Sequence, residues 1–234
     1  MLDPEPICSP VAEDAVLIRF GETISEDLLD RIVTLQQQID RYCADWVIDM
    51  VPSYTTLLVQ FDLLCIDQQQ VQSKLSRLLS EHAADDSKLQ SRQKLVLPVW
   101  YDPQVGPDLE PLAQHHGITA EQVIRHHTAQ TYRVYALGFS PGFAFMGQVD
   151  PRIATSRHPS PRDLVAAGSV GIADRQTAVY PRSSPGGWQI IGRSPQVLFD
   201  AEKPLQEAPL LRVGDQVSVQ VIDRSDFLAL GGQL

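Results

Sequence analysis

The chain has 234 residues, of which 43% are hydrophobic and 21% charged, and a formal net charge of −10. That length can bury a sizeable core without covalent staples. The acidic balance speaks against nucleic acid as a partner, because counterion release from phosphates needs a basic face, and no apolar run approaches the roughly 20 residues of a membrane span.

The first residues, MLDPEPICSPVAEDA, carry four acids and no base, unlike a secretory leader. The expected location is cytoplasmic. Cys8, Cys43 and Cys65 are odd in number and lack metal or redox spacing, as in a reducing compartment. Residues 1–14 read as an N-terminal tail and 15–84 as an N-terminal α/β domain. Within that domain Ala15 to Phe20 is a strand closed by Gly21. Ser25 can cap a helix with Glu26 and Asp27 in its first turn and Leu28, Ile32, Leu35, Ile39 and Tyr42 at helical spacing. Val47 to Val51 and Thr55 to Phe61 are strands broken by Pro52-Ser53, and Asp67 caps a second helix through Val71, Leu75, Leu78 and Leu79. The order β-α-β-β-α is one strand short of a ferredoxin-like unit.

From His82 to Lys94 the chain is polar and aperiodic, which places a linker at 85–94 and a second domain at 95–234. Leu95 to Tyr101 is a strand whose Pro98 implies an edge or a bulge. Two short helices follow, about Pro107 to His116 and Ala120 to His127, the second opened by a Thr119-to-Gln122 capping box. From Tyr132 onward short strands alternate with Gly/Pro turns, ending in a strand from Val217 to Ile222, a pattern of barrels and sandwiches.

The stretch from Arg125 to Arg193 holds eight arginines, three aspartates and no lysine, a net +5 against −15 for the remainder. Such a window could attract a small anionic substrate or an acidic partner, or its arginines could pair with acids elsewhere in the chain. No P-loop, GxGxxG, GxSxG or zinc-type spacing occurs. The pairs His115-His116 and His126-His127 are poor chelators, since helix neighbours point about 100° apart; no metal site is expected. His127 closes a helix just before the arginine-rich window, where it could move a proton or serve the helix dipole. Pro185-Gly186-Gly187-Trp188 could form an anion nest beside an aromatic wall, or a plain hairpin turn. Gly138 to Phe143 could plug a barrel end or present Ser140 to a ligand.

The strings GFSPGFAFMG, PRDLVAAGSVGIADRQTAVYP and SPGGWQIIGRSP, preceded by VWYDPQVGPDLE and HTAQTYRVYALGF, closely resemble the family of 5-oxoprolinase B subunits, also described as allophanate hydrolase subunit 1 or KipI-like proteins. The likeness is strong from Leu95 onward and looser before it. The family often has Pro-Tyr-Leu where this chain has Ala144-Phe145-Met146, and proline at Ala166, so any role for a hydroxyl at position 145 is absent.

The resemblance implies an α+β protein with an N-terminal ferredoxin-like domain and a C-terminal cyclophilin-like β-barrel. It implies a subunit, inactive alone, of a 5-oxoprolinase that with subunits C and A uses ATP to hydrolyse 5-oxo-L-proline to L-glutamate, with Mg-ATP at a site shared between subunits. A site holding a carboxylate and a developing phosphate needs arginines and backbone donors. The candidates are Arg157 and Arg162 as anion clamps, Gln176 and Tyr180 as orienting groups, Gly186 and Gly187 as backbone donors, Trp188 as a wall and His127 as acid/base. Related roles in the family are an inhibitor of a sensor histidine kinase and a urea carboxylase or allophanate hydrolase component.

Overall fold

The computed structural model describes residues 5–81 and 93–234, so most of the expected linker lies outside the described residues. The chain divides into two compact units, 1–92 and 93–234.

The first unit runs β1 (Ile7–Ala12), β2 (Ala15–Arg19), α1 (Glu26–Tyr42), β3 (Val47–Ser53), β4 (Thr56–Phe61) and α2 (Gln68–Glu81). Its antiparallel sheet has the order β1-β2-β4-β3. Of the segment expected to be a tail, Ile7–Ala12 is therefore an edge strand. Its residues are nearly all exposed and include a proline, so no buried alternation announces it, and pairing with β2 holds it in place. The ferredoxin-like arrangement is not confirmed: among the described residues the outer strand precedes β2, where the βαββαβ order has it after the second helix.

Both helices start as their sequences dictate. Ser25 Oγ accepts from the Leu28 N–H at 3.2 Å, and Asp67 Oδ1 from the Gln70 N–H at 2.8 Å. Their apolar stripes, Ile32, Leu35 and Ile39 on α1 and Val71 and Leu75 on α2, pack on Val16, Ile18, Leu57, Val59 and Phe61 of the sheet. Cys43, buried at the end of α1, has its thiol pKa raised by burial, and all three cysteines are free.

In the second unit β5 (Lys94–Trp100) leads to α3 (Leu109–His116), α4 (Ala120–Thr128), β6 (Thr131–Leu137) and β7 (Ala144–Gly147). Then come β8 (Arg162–Val165), β9 (Ser169–Ala173), β10 (Gln176–Val179), β11 (Ser184–Gly186), β12 (Gln189–Arg193), β13 (Gln216–Ile222) and α5 (Arg224–Ala229). Lys94, assigned to the linker from its polarity, is the first residue of β5. Seven strands close a barrel in the order β10-β7-β6-β13-β5-β12-β9, completed by β9 with β10, while β8 and β11 form a separate ribbon. Pro98 is not on a free edge. Strand β5 lies between β13 and β12, but its pairing with β12 is limited to Trp100 opposite Arg193, so the missing N–H at Pro98 breaks no bond on that side.

The barrel interior is filled by Leu97, Val99, Val134, Met146, Ile172, Val179, Ile191 and Val217, with Leu112 and Val123 of the two helices packed against it. The Thr119 capping box forms in full at the start of α4.

Candidate functional site

The β8–β11 ribbon sets Arg162 opposite Gly186, and Trp188 follows two residues later. Beneath them an aromatic cluster closes this part of the barrel. The Phe143 ring lies 5.3 Å from Tyr180 and 5.7 Å from Trp188, both edge-to-face, and 4.9 Å from Phe145. The result is a rigid apolar floor under a polar rim.

Asp108 organises that rim. It sits at the N-cap position of α3, yet its side chain makes no capping bond. The buried carboxylate instead accepts from Arg162 Nη2 at 2.6 Å on Oδ1 and from the Ile190 N–H at 2.5 Å on Oδ2. His158 Nε2 lies 3.3 Å from the same Oδ1. Arg162 Nη1 also reaches the Trp188 carbonyl at 3.4 Å, while about a third of its side chain stays exposed. Neither Asp108 nor His158 stands out in the sequence. An aspartate before a helix is the usual sign of a cap, which hides one used across the fold.

Tyr180 is almost fully buried at the end of β10. Burial pushes its phenol pKa up, and the Trp188 backbone hydrogen bond, Arg162 and Arg157 pull it back. Arg157 is exposed beside His158. Arg157, Arg162, Tyr180 and Trp188 therefore share one neighbourhood.

The glycines act differently from the expected nest. Neither Gly186 nor Gly187 adopts a positive φ, which rules out the alternating conformation that turns successive N–H groups toward an anion. Gly186 is required for close approach, because a Cβ there would strike the Tyr180 hydroxyl. The Gly187 carbonyl accepts from the His158 N–H at 2.7 Å.

Two candidates fall elsewhere. Gln176 begins β10, opposite Gly147 and Ala173, four residues and about 13 Å of extended strand before Tyr180. His127 is 1% exposed, with Nδ1 2.6 Å from the Tyr101 hydroxyl and Nε2 2.9 Å from Thr177 Oγ1. Since the Thr177 hydroxyl donates to the Gly171 carbonyl, it accepts from Nε2–H, and Tyr101 donates to Nδ1. Burial lowers the His127 pKa to about 3. A sealed, neutral imidazole with both nitrogens engaged cannot exchange protons with a substrate, so the acid/base role assigned to His127 is withdrawn.

The positive window also divides. Arg152 pairs with Asp150 at 2.6 Å, buried Arg133 donates to the Gly214 carbonyl and Arg193 to the Gln233 carbonyl. Ser140 Oγ at the β6–β7 hairpin is buried with no hydrogen-bond partner. Among the described residues no cluster of three or more His, Cys, Asp or Glu could hold a metal ion, and no helix is long and apolar enough to cross a membrane. A cleft of about 470 Å³ in the first unit is lined by Arg19, Phe20, Ser25 and Leu28 among others, and includes none of the rim residues.

Residues 6–210 match the carboxyltransferase domain, subdomain C and D. The chain is 38% identical to the 5-oxoprolinase B subunit of Bacillus subtilis over 230 residues, 94% of each protein. It is 34% identical to that of Haemophilus influenzae over 208 residues, covering 89% of this chain and 94% of the relative. The crystal structure of TTHA0988 superposes with a TM-score of 0.79 at 33% identity, over 91% of this chain and 40% of that one. K. lactis urea amidolyase, 20% identical with a TM-score of 0.72, shares the fold over 15% of its own chain.

Proposed function

The chain belongs to the carboxyltransferase subdomain C and D family, together with the bacterial 5-oxoprolinase B subunits, and on that premise we propose that it is the B subunit of an ATP-dependent 5-oxoprolinase. The observation that carries this reading is 38% identity to a subunit of that name over 94% of each protein.

The reaction opens the lactam of 5-oxo-L-proline to L-glutamate in the cytoplasm, with subunits C and A as partners. At the rim Arg162 and Arg157 meet the substrate carboxylate or the transferring phosphate. Arg162 is preset by Asp108 and loses little conformational entropy on binding. Tyr180 and Trp188 give the pocket a firm wall against which the flat ring can rest. ATP supplies the driving force, because lactam opening is uphill without coupling. Asp108 already receives Arg162 and the Ile190 N–H and faces His158, so it is a poor fit for magnesium, which belongs with the nucleotide phosphates at a site completed by the partner chains.

The test is ATP-dependent glutamate release from 5-oxo-L-proline by the purified chain alone and with subunits C and A added. Activity confined to the mixture is expected. Full turnover by the single chain would remove the shared site, and none in any mixture would remove the oxoprolinase reading.

A further inference from the structure

His158 has a divided environment. Its ring is about 30% exposed, but Nε2 is buried and has no well-aligned hydrogen bond, with Asp108 Oδ1 3.3 Å away. With Nε2 turned to the carboxylate and about 30% of the side chain exposed, Nδ1 is the ring nitrogen left to meet a ligand. The backbone on either side is fixed: the His158 N–H donates to the Gly187 carbonyl, and the Ser156 carbonyl accepts from Gln189 Nε2 at 2.8 Å. Asp108 is equally fixed, through both its backbone N–H and its carboxylate, to Ile190 of β12.

A buried carboxylate facing one ring nitrogen places the proton on that nitrogen and leaves the other with its lone pair outward. Such contacts are often long before substrate binds and tighten with it. The charged and titratable groups around the ring are Asp108 from the start of α3, Arg162 from β8, Arg157 next in the chain and Tyr180 at the end of β10. A carboxylate behind the ring fixes its orientation, and the arginines beside it draw an anionic substrate toward its open edge.

We propose that His158 is the proton-transfer residue of this site, with Asp108 as its positioning residue; this deepens the oxoprolinase reading and rests on it for the substrate. As water adds to the lactam carbon, forming the new C–O bond, His158 Nδ1 takes one of its protons. The γ-phosphoryl group of the nucleoside triphosphate has by then passed to the lactam oxygen, releasing the diphosphate. When the C–N bond breaks, the proton held by His158 passes to the leaving ring nitrogen, the remaining hydroxyl proton is lost to solvent, and a second water cleaves the resulting acyl phosphate to the carboxylate and inorganic phosphate.

The experiment compares wild type, His158→Gln and Asp108→Asn in the complete complex, as kcat and KM against pH, with thermal melts to confirm folding. His158→Gln is expected to lower kcat about a hundredfold or more, to leave KM little changed and to abolish the acidic limb of the rate profile. Asp108→Asn is expected to lower kcat by less than His158→Gln and to leave KM little changed, because the imidazole stays but loses the carboxylate that orients it. Retention of kcat and of the limb in His158→Gln overturns the proposal. Nitrogen-15 NMR of the full chain gives a readout independent of turnover: His158 is expected as the Nε2–H tautomer, with the tautomer ratio shifted toward Nδ1–H in Asp108→Asn. A tautomer ratio unchanged by Asp108→Asn overturns the pairing even if the complex is active. A changed ratio in a complex that never releases glutamate supports the pairing and rejects the substrate.

Discussion

Inside the barrel, His127 gives both ring nitrogens to the protein, whereas at the rim His158 faces Asp108 with one and keeps the other open. Both lie in the second unit among hydroxyl-bearing or charged neighbours, and sequence context favours the first, at a helix end before an arginine-rich stretch. What separates them is solvent. Closure on all sides makes His127 a neutral crosslink between the loop after β5, α4 and β10, and partial exposure with a carboxylate behind it leaves His158 able to meet a ligand. The proximity of a histidine to arginines in sequence therefore says little about chemistry until the burial of each ring nitrogen is known.

The sharpest way to break this contrast is to remove the core imidazole. His127→Leu strands the Tyr101 hydroxyl in the barrel and leaves Thr177 Oγ1 with only its bond to the Gly171 carbonyl, and a buried unsatisfied group costs about 1–3 kcal/mol. A stability loss on the order of 2–4 kcal/mol is expected, with turnover per folded molecule at the parental level. Denaturant unfolding and kinetics on the same samples check this. Loss of turnover without loss of stability would return His127 to the active site.

Next in size is Arg162→Lys. The arginine fork bridges Asp108 and the Trp188 carbonyl and still offers an exposed edge; an ammonium cannot do all three. The expected loss in kcat/KM of the assembled enzyme corresponds to about 1.5–3 kcal/mol, the range for hydrogen bonds to charged groups. Unchanged kinetics with an intact melt would make Arg162 a purely structural partner of Asp108.

Acid sensitivity should separate the core site further. His127 is held neutral when folded, with its pKa lowered from 6.5 to about 3 by burial, so below pH 6.5 the unfolded chain binds a proton that the folded chain refuses. Stability from this group is complete above pH 6.5 and is lost as pH falls toward 3, with a limiting slope of about 1.4 kcal/mol per pH unit. His127→Gln should flatten the stability profile of the second unit across that window relative to wild type. Equal slopes in the two proteins would mean that His127 titrates freely in the fold.

Much of the architecture is legible in the chain because local rules and burial agree there. The Ser25 and Thr119 caps, the stripe from Leu28 to Ile39 and the β-rich second half all appear where periodicity and capping chemistry put them. The edge strand β1 is not legible, since its side chains face solvent and its stability comes from backbone pairing, which leaves no hydrophobic pattern. At the rim, Arg162, Tyr180, Trp188 and Arg157 are visible as residue types suited to anions and walls. Asp108 and His158 are not: they lie 50 positions apart in the chain, and only the barrel's closure brings the carboxylate and ring together. Gln176 fails for the converse reason, because nearness to Tyr180 in sequence becomes distance along an extended strand.

The two glycines of the Pro185-Gly-Gly-Trp188 turn give the smallest and most discriminating pair of substitutions. At Gly186 a new methyl group would collide with the Tyr180 hydroxyl, so Gly186→Ala must shift the phenol or the ribbon. The expected cost is about 1–3 kcal/mol of overpacking, accompanied by reduced turnover as the wall moves. At Gly187 the same methyl would meet the His158 carbonyl at 3.5 Å and Pro161 at 3.7 Å, which are ordinary contacts, and the backbone is not left-handed. Gly187→Ala should therefore change stability by less than about 0.5 kcal/mol and leave turnover intact. Thermal melts and turnover on both variants decide it. If Gly187→Ala instead stops turnover while melting like the parent, the residue's N–H or the space above it belongs to the ligand, and the rim extends across the turn to include the backbone donors that the dihedral angles now argue against.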